Sequence, residues 1–357
     1  MRAIERQDEQ QWLKIAVDEL RQKFPGQFEP LCRITLLQSS AQPYRNELIV
    51  TFHHAIADGI SALHFIHELL SYYQQLVEGI TISKVDSLPL LPSLEQLLKK
   101  SLTEAKAADF TQATPSQTTS PPTLLIEQMA PVVERQTRLI PCQLNRSLTL
   151  QIKSRCRQEQ TTVHGVLCAA MMMACVQHLS SQAPILVSCS SSINLRASCF
   201  PPVEPSYLGC FISNITTTHH ADPKANLWDL ARECHSNIHR LVQHKIPHDL
   251  VSNPELLNKY NSSFLAQLAE HNMGRNTTTH VSNLGQCDLK AVYGSIRLES
   301  FYFATGLNLV GTCFWLGTVT INQKLFCTFT YTDPLISTKT AEVLADSVVK
   351  VLTSAVT

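Results

Sequence analysis

The chain has 357 residues, 44% of them hydrophobic; this is too long for one hydrophobic core, so about two subdomains are expected, and too apolar for a disordered chain. Lys+Arg and Asp+Glu are both 29, which leaves no basic stripe as a nucleic-acid footprint and only local charge to steer a ligand. The 12 cysteines are irregularly spaced, with no Cys-x-x-Cys, and read as reduced, mostly buried thiols of a cytoplasmic protein rather than a secreted disulfide framework.

The N-terminus, Met1 to Glu9, is polar and has no signal-peptide core. No apolar run reaches the roughly 18 residues of a membrane span. Trp12, Ile15, Ala16, Val17 and Leu20 recur at helical spacing over residues 8–23, and Pro25-Gly26 stops that helix. Leu31 to Leu37 and Leu48 to Phe52 read as two strands of a hairpin across a polar turn. Gly59 to Val77 is a helical pattern, and Leu94 to Ala108 another after Pro89 and Pro92. Residues 109–123 are mostly Thr, Ser, Gln and Pro, the composition of a linker.

The second half opens with a strand at Arg138 to Leu144 and a helix at Ser147 to Arg157. Gly165 to His178 is apolar on every face and is expected to be buried all round. Ile185 to Ser192 and Tyr207 to Thr216 read as strands, and Leu227 to His244 as an amphipathic helix. Strands are expected at His280 to Leu284, Gly294 to Phe303, Val310 to Ile321 and Leu325 to Tyr331, before a last helix from Thr338 to Leu352. This alternation with antiparallel hairpins predicts mixed α/β (α+β) sheets rather than a doubly wound nucleotide-binding sheet. Neither a G-x-G-x-x-G nor a Walker loop is present.

The chemistry concentrates in His53-His54-Ala55-Ile56-Ala57-Asp58-Gly59. It lies between the strand ending at Phe52 and the helix starting at Gly59. An imidazole there can serve as a general base without large tuning of its pKa. Asp58 can pair with an arginine and fix the loop. Gly59 allows either a special backbone conformation or the close approach of another segment. The other histidine clusters are weaker. His64 and His67 read as partly buried or interfacial, not as zinc ligands. His219-His220-Ala221-Asp222 reads as a loop, and Cys234-His235 lacks a third group for a nucleophile dyad.

The pattern His53-His54-x-x-x-Asp58-Gly59 resembles the signature of the condensation-domain superfamily of acyltransferases, which is similar in fold to chloramphenicol acetyltransferase. Supporting segments are Leu48 to Phe52, Ile60 to Leu63, Thr162 to Leu167, Ile193-Asn194-Leu195-Arg196 with Leu208-Gly209, and Phe329-Thr330-Tyr331. Val281-Ser282-Asn283-Leu284-Gly285 is similar to the polyketide-associated, phthiocerol dimycocerosyl transferase-type branch. The resemblance implies two chloramphenicol-acetyltransferase-like subdomains in a V-shaped pair around a cleft. Their expected extents are 1–108, a linker at 109–135, and 136–357.

The resemblance also implies His54 as the base, with His53, Asp58 and Gly59 structural. Ser282 or Asn283 is expected to donate to the oxyanion. Arg196 is expected near the cleft or in an ion pair between subdomains. The implied reaction moves an acyl group from coenzyme A or an acyl carrier protein to an alcohol acceptor. No metal and no cofactor beyond the thioester is expected. Amide formation by a peptide-type condensation domain, with an amine acceptor, and a non-catalytic scaffold are the alternatives. Family members carry a longer segment before the motif, so the first subdomain is expected to be incomplete, with Asp58's partner in the missing part.

Overall fold

The computed structural model describes residues 1–24, 30–98, 124–179, 184–244 and 262–356. The chain folds as mixed α/β layers on two main sheets. In the first, β1 (Arg2–Glu5) runs parallel to β2 (Cys32–Gln38), which pairs antiparallel with β3 (Glu47–Phe52) in the expected hairpin. Helix α1 (Gln11–Arg21) lies against β3. The stop signal at Pro25-Gly26 lies outside the described residues. Helix α2 (Gly59–Val77) follows the histidine motif directly.

The second sheet has six strands: β4 (Gln136–Leu144), β5 (Ile185–Asn194), β6 (Ile212–Ala221), β7 (Thr279–Gln286), β10 (Phe314–Ile321) and β11 (Lys324–Asp333), in the order β4-β11-β10-β7-β5-β6. The β10/β7 and β5/β7 pairs are parallel and the rest antiparallel. The parallel pairs place β7 in the interior of the sheet, and Ser282 and Asn283 lie midway along it. Helix α3 (Arg146–Gln158) is capped by Asn145, whose side chain accepts from the Leu148 amide. Helix α4 (Val163–Leu179) is buried continuously from Gly165 to Val176, as an all-apolar helix requires. It packs against helix α5 (Leu227–His244), and helix α7 (Thr338–Ser354) covers it from the other side. Helix α6 (Ser262–Glu270) completes the described α-helices of this half.

Several sequence expectations shift. The segment 207–211 is not strand but a loop ahead of β6, because its polar atoms are spent on the histidine motif, as described below. The strand expected at Gly294 to Phe303 is only a two-residue hairpin, β8 (Val292–Tyr293) with β9 (Ile296–Arg297). Residues 298–310 then run without ladder pairing; their apolar rings pack rather than pair. His219 to Ala221 belongs to β6 rather than a loop, with His219 buried and bonded to Glu233 and Thr217. Helicity is described for 94–98 and the rest of that expected helix lies outside the described residues, as does 109–123. Within the expected linker, Leu125 and Ala130 join the core around α4, so that stretch packs with the second half.

Among the described residues no single helix is long and apolar enough to cross a membrane. The one candidate pair, α3 with α4, is bent by 102°.

Candidate active site

The histidine motif sits where β3 ends and α2 begins, and its carboxylate does three jobs at once. Asp58 caps α2, accepting from the Ser61 amide at 2.9 Å. It takes both guanidinium nitrogens of Arg196, at 2.7 and 3.0 Å, and the Phe211 amide at 2.9 Å. Its own amide donates to the Gly209 carbonyl at 3.0 Å. Ser61 extends the same network, accepting from Arg196 at 2.8 Å and donating to Gly209 at 2.9 Å. Asp58 and Arg196 are each 3% exposed, so this is a buried, bidentate pair with its remaining acceptor sites filled.

Arg196 is thus spent on an ion pair between the two halves, one of the two expectations for it. It does not itself line the cavity that holds His54, although Asp58 and Asn194, to which it bonds, do. Its charge is committed to Asp58, with the face of Phe211 4.8 Å from the guanidinium carbon. The same contact corrects the expectation that Asp58's partner lies in a missing segment, because the partner is supplied by the second half of this chain.

Gly59 works by close approach. Its φ is not in the left-handed region, but a Cβ there would meet Leu284 Cδ2 at 2.5 Å. The absent side chain lets the end of β7 seat against the motif, which brings Ser282 and Asn283 to the same cavity as His54. Asn283 Oδ1 accepts from Thr318 at 3.1 Å and from the Gly285 amide at 2.9 Å. With its oxygen thus engaged, the Nδ2 group is the part able to donate. His53 serves the loop: its Nδ1 accepts from the Ala55 amide at 3.2 Å, and its ring meets Phe24 edge-on.

His54 is exposed to a cavity of ≈ 2250 Å³ that runs between the two halves. Apolar side chains from α1, β2 and β3, among them Trp12, Leu36 and Val50, form one wall. Phe301, Tyr302 and Phe303 form another, with Tyr302 stacked on Trp12 at 5.6 Å. A third part is polar and uncharged. There Ser192 lies 2.9 Å from His280 Nε2 and 3.1 Å from Asn214 Oδ1, and all three line the cavity. Burial pushes His280 down to about 4, so this imidazole is neutral at physiological pH.

A residue that sequence reasoning passed over touches the motif histidine. Cys210 Sγ lies 3.7 Å from His54 Nδ1. This contact is the main cause that draws His54 up to about 9, with enclosure by the cavity walls opposing the rise. Ser192, Asn214 and His280 also went unremarked, since each is an ordinary polar residue within a strand until the sheet aligns them. Among the described residues no group of three or more His, Cys, Asp or Glu side chains converges as a metal site.

In sequence, the chain matches the condensation-domain family over residues 1–357. No curated protein matches it. In structure, it is similar to the epimerization domain from the third module of tyrocidine synthetase B, at 16% identity and TM-score 0.69, covering 99% of this chain and 78% of that one. It is also similar to polyketide synthase associated protein 5 from Mycobacterium tuberculosis, at 15% identity and TM-score 0.58, over 93% of this chain and 79% of that one. A third is the trichothecene 15-O-acetyltransferase from Fusarium sporotrichioides, at 14% identity and TM-score 0.62, over 92% and 70%. At these identities the likeness speaks to fold.

Proposed function

The chain belongs to the condensation-domain family, and on that premise we propose that it is an acyltransferase. It moves an acyl group from a thioester, on coenzyme A or a carrier protein, to an alcohol, with His54 as general base. The observation that carries this reading is the placement of His54. The imidazole stands over a large, partly apolar cavity on a loop locked by the Asp58–Arg196 pair. A base must hold its geometry to within a fraction of an ångström to be effective, and this loop is braced on both sides.

Each wall of the cavity has a use in this reaction. The apolar wall from α1, β2 and β3 suits an acyl chain. The uncharged cluster Ser192, Asn214 and His280 suits a neutral hydroxylated acceptor better than an ammonium, which would call for a carboxylate. Ser282 and Asn283 Nδ2 supply donors for the tetrahedral oxyanion. A thioester is already activated, so a base and these donors suffice without a metal or organic cofactor. All twelve cysteines are free, which fits a reducing, cytoplasmic setting.

The test is turnover of acyl-coenzyme A or carrier-bound thioesters with an alcohol panel, wild type against His54→Ala. Loss of a general base is expected to cost roughly 10²- to 10⁴-fold in rate without loss of fold. Undiminished transfer by the variant removes His54 from the mechanism.

A further inference from the structure

The uncharged part of the cavity wall is a hydrogen-bonded chain with two unused ends. Ser192 of β5 and Asn214 of β6 face each other across the ladder, and His280 of β7 reaches the same hydroxyl. Ser192 has one proton, which goes to Asn214 Oδ1 at 3.1 Å. The 2.9 Å contact with His280 Nε2 then takes its proton from the imidazole. His280 Nδ1 is left as a bare acceptor and Asn214 Nδ2 as a free donor, neither with a partner among the described residues. Reversing every bond in the chain exchanges the two ends and still leaves one donor and one acceptor. Burial pushes the imidazole down to about 4, so the ring stays neutral and keeps its acceptor at physiological pH.

The ladder also fixes where these ends lie relative to His54. The next pair along it toward the motif is Asn194 with Ile212. Side chains two apart on a strand share a face, and Ser192, Asn194, Ile212 and Asn214 all line the cavity. Two residues before Ile212, Cys210 Sγ lies 3.7 Å from His54 Nδ1. Four residues of chain span at most about 14 Å, so one elongated small molecule can touch both His54 and the free ends. Ile212 offers it an apolar surface in between.

We propose that Ser192, Asn214 and His280 hold a second hydroxyl of the acceptor, so that the preferred acceptor is a medium-chain diol or polyol, acylated at one end and anchored at the other. This rests on the acyltransferase reading above and names its acceptor class. A hydroxyl both donates and accepts. It takes a proton from Asn214 Nδ2 and gives its own to His280 Nδ1. A carboxylate has no proton to give and an ammonium has no lone pair, so neither satisfies both ends. A plain alkanol leaves both ends unpaired, and a site built to bond a hydroxyl rejects the analogue that lacks it. The three side chains are positioning residues: they decide which acceptor binds and which of its oxygens meets His54.

The experiment gives the full chain octanoyl-coenzyme A and compares terminal diols, from butanediol to decanediol, with monoalcohols of the same carbon number. The expected result is a maximum at one diol length. There kcat/KM stands roughly tenfold above the matching monoalcohol, after allowing for the diol's two equivalent ends, as two neutral hydrogen bonds supply. The gain should lie in KM. Ser192→Ala should erase it. Asn214→Asp, at an exposed position, should move it to the dimethylamino alcohol of that length, which pairs with a carboxylate and cannot be acylated at nitrogen. A purely structural cluster does not move specificity in this way. Diols no better than monoalcohols, or a diol advantage that survives both substitutions, overturns the proposal. So does a KM that rises in the variants for the thioester and not for the diol, because the cluster then holds the donor. Binding without turnover is followed by the fluorescence of Trp315, whose ring lies 6.3 Å from that of His280. Tighter binding of the diol than of the monoalcohol, lost in Ser192→Ala, with no ester formed from either, supports the anchor and defeats the acyltransferase reading. Ester formed equally well from both defeats the anchor and leaves acyl transfer standing.

Discussion

The two halves of the molecule are built on different terms. The second half carries a contiguous core around α4, with the Phe314 and Phe329 rings stacked 5.5 Å apart beneath it. The first half carries the motif histidine but little interior of its own. The buried residues of α2 are Ser61 and Leu63, and each is buried by the other half. Ser61 bonds Gly209 and Arg196, and Leu63 clusters with Leu289, Val319, Ile321 and Phe326. Much of the inner face of β2 and β3 opens onto the cavity. The half that carries His54 is thus held by contacts to a rigid neighbour, and its imidazole is only as well placed as those contacts.

The largest expected effect comes from breaking the strongest of them. Arg196→Ala leaves Asp58 as a buried carboxylate without its counterion, a change that costs about 3–5 kcal/mol in comparable buried pairs. Urea denaturation should register the loss. Hydrogen exchange should localise it, with the Asp58, Ser61 and Phe211 amides losing protection while β10 and β11 keep theirs. Equal loss of protection in both halves breaks the comparison, because the molecule is then one cooperative unit.

A smaller effect is expected at the seat of β7. Gly59→Ala drives a methyl group into Leu284, and overpacking of this kind costs about 1–3 kcal/mol. The clash is with the end of a side chain rather than with backbone. Gly59→Ala combined with Leu284→Ala should therefore recover much of the stability lost by the first change. A double-mutant cycle showing no coupling means that β7 is not seated on the motif.

The same division explains what was legible in the sequence. Helices α2, α4, α5 and α7 could be read because each carries its own periodic or uniformly apolar pattern. The strand–histidine–helix turn could be read because its signal is local. The partner of Asp58 could not, since Arg196 lies 138 residues away and nothing near either residue announces the pairing. Strand β1 escaped because it is four residues long and mostly exposed, and its ladder partner is a parallel strand thirty-odd residues on. The stretch 298–303 misled for the opposite reason. Phe301-Tyr302-Phe303 has the composition of a strand, but its rings pack on Trp12, Phe326 and Trp315 instead of entering a ladder. Cys210 was hidden by its own neighbourhood: an apolar run with a cysteine reads as core, and only the fold of the loop brings its sulfur to His54.

The smallest expected effect sharpens the comparison from the side of the rigid half. His280 belongs to β7 and is held neutral by burial, with its pKa pushed down to about 4 from 6.5. In the unfolded chain the same imidazole takes a proton near 6.5. Between those values the unfolded state binds more protons than the folded one, so stability falls as the pH drops from 6.5 toward 4 and is flat above that window. A polar, uncharged wall on the second half thus carries a cost in acid that the first half does not share. His280→Gln can keep a hydrogen bond to Ser192 and cannot titrate. Chemical denaturation at pH 7 and pH 5 should show wild type losing more stability than the variant over that interval. Equal losses mean that His280 accepts its proton within the fold, and the cavity wall there is then cationic in acid rather than neutral.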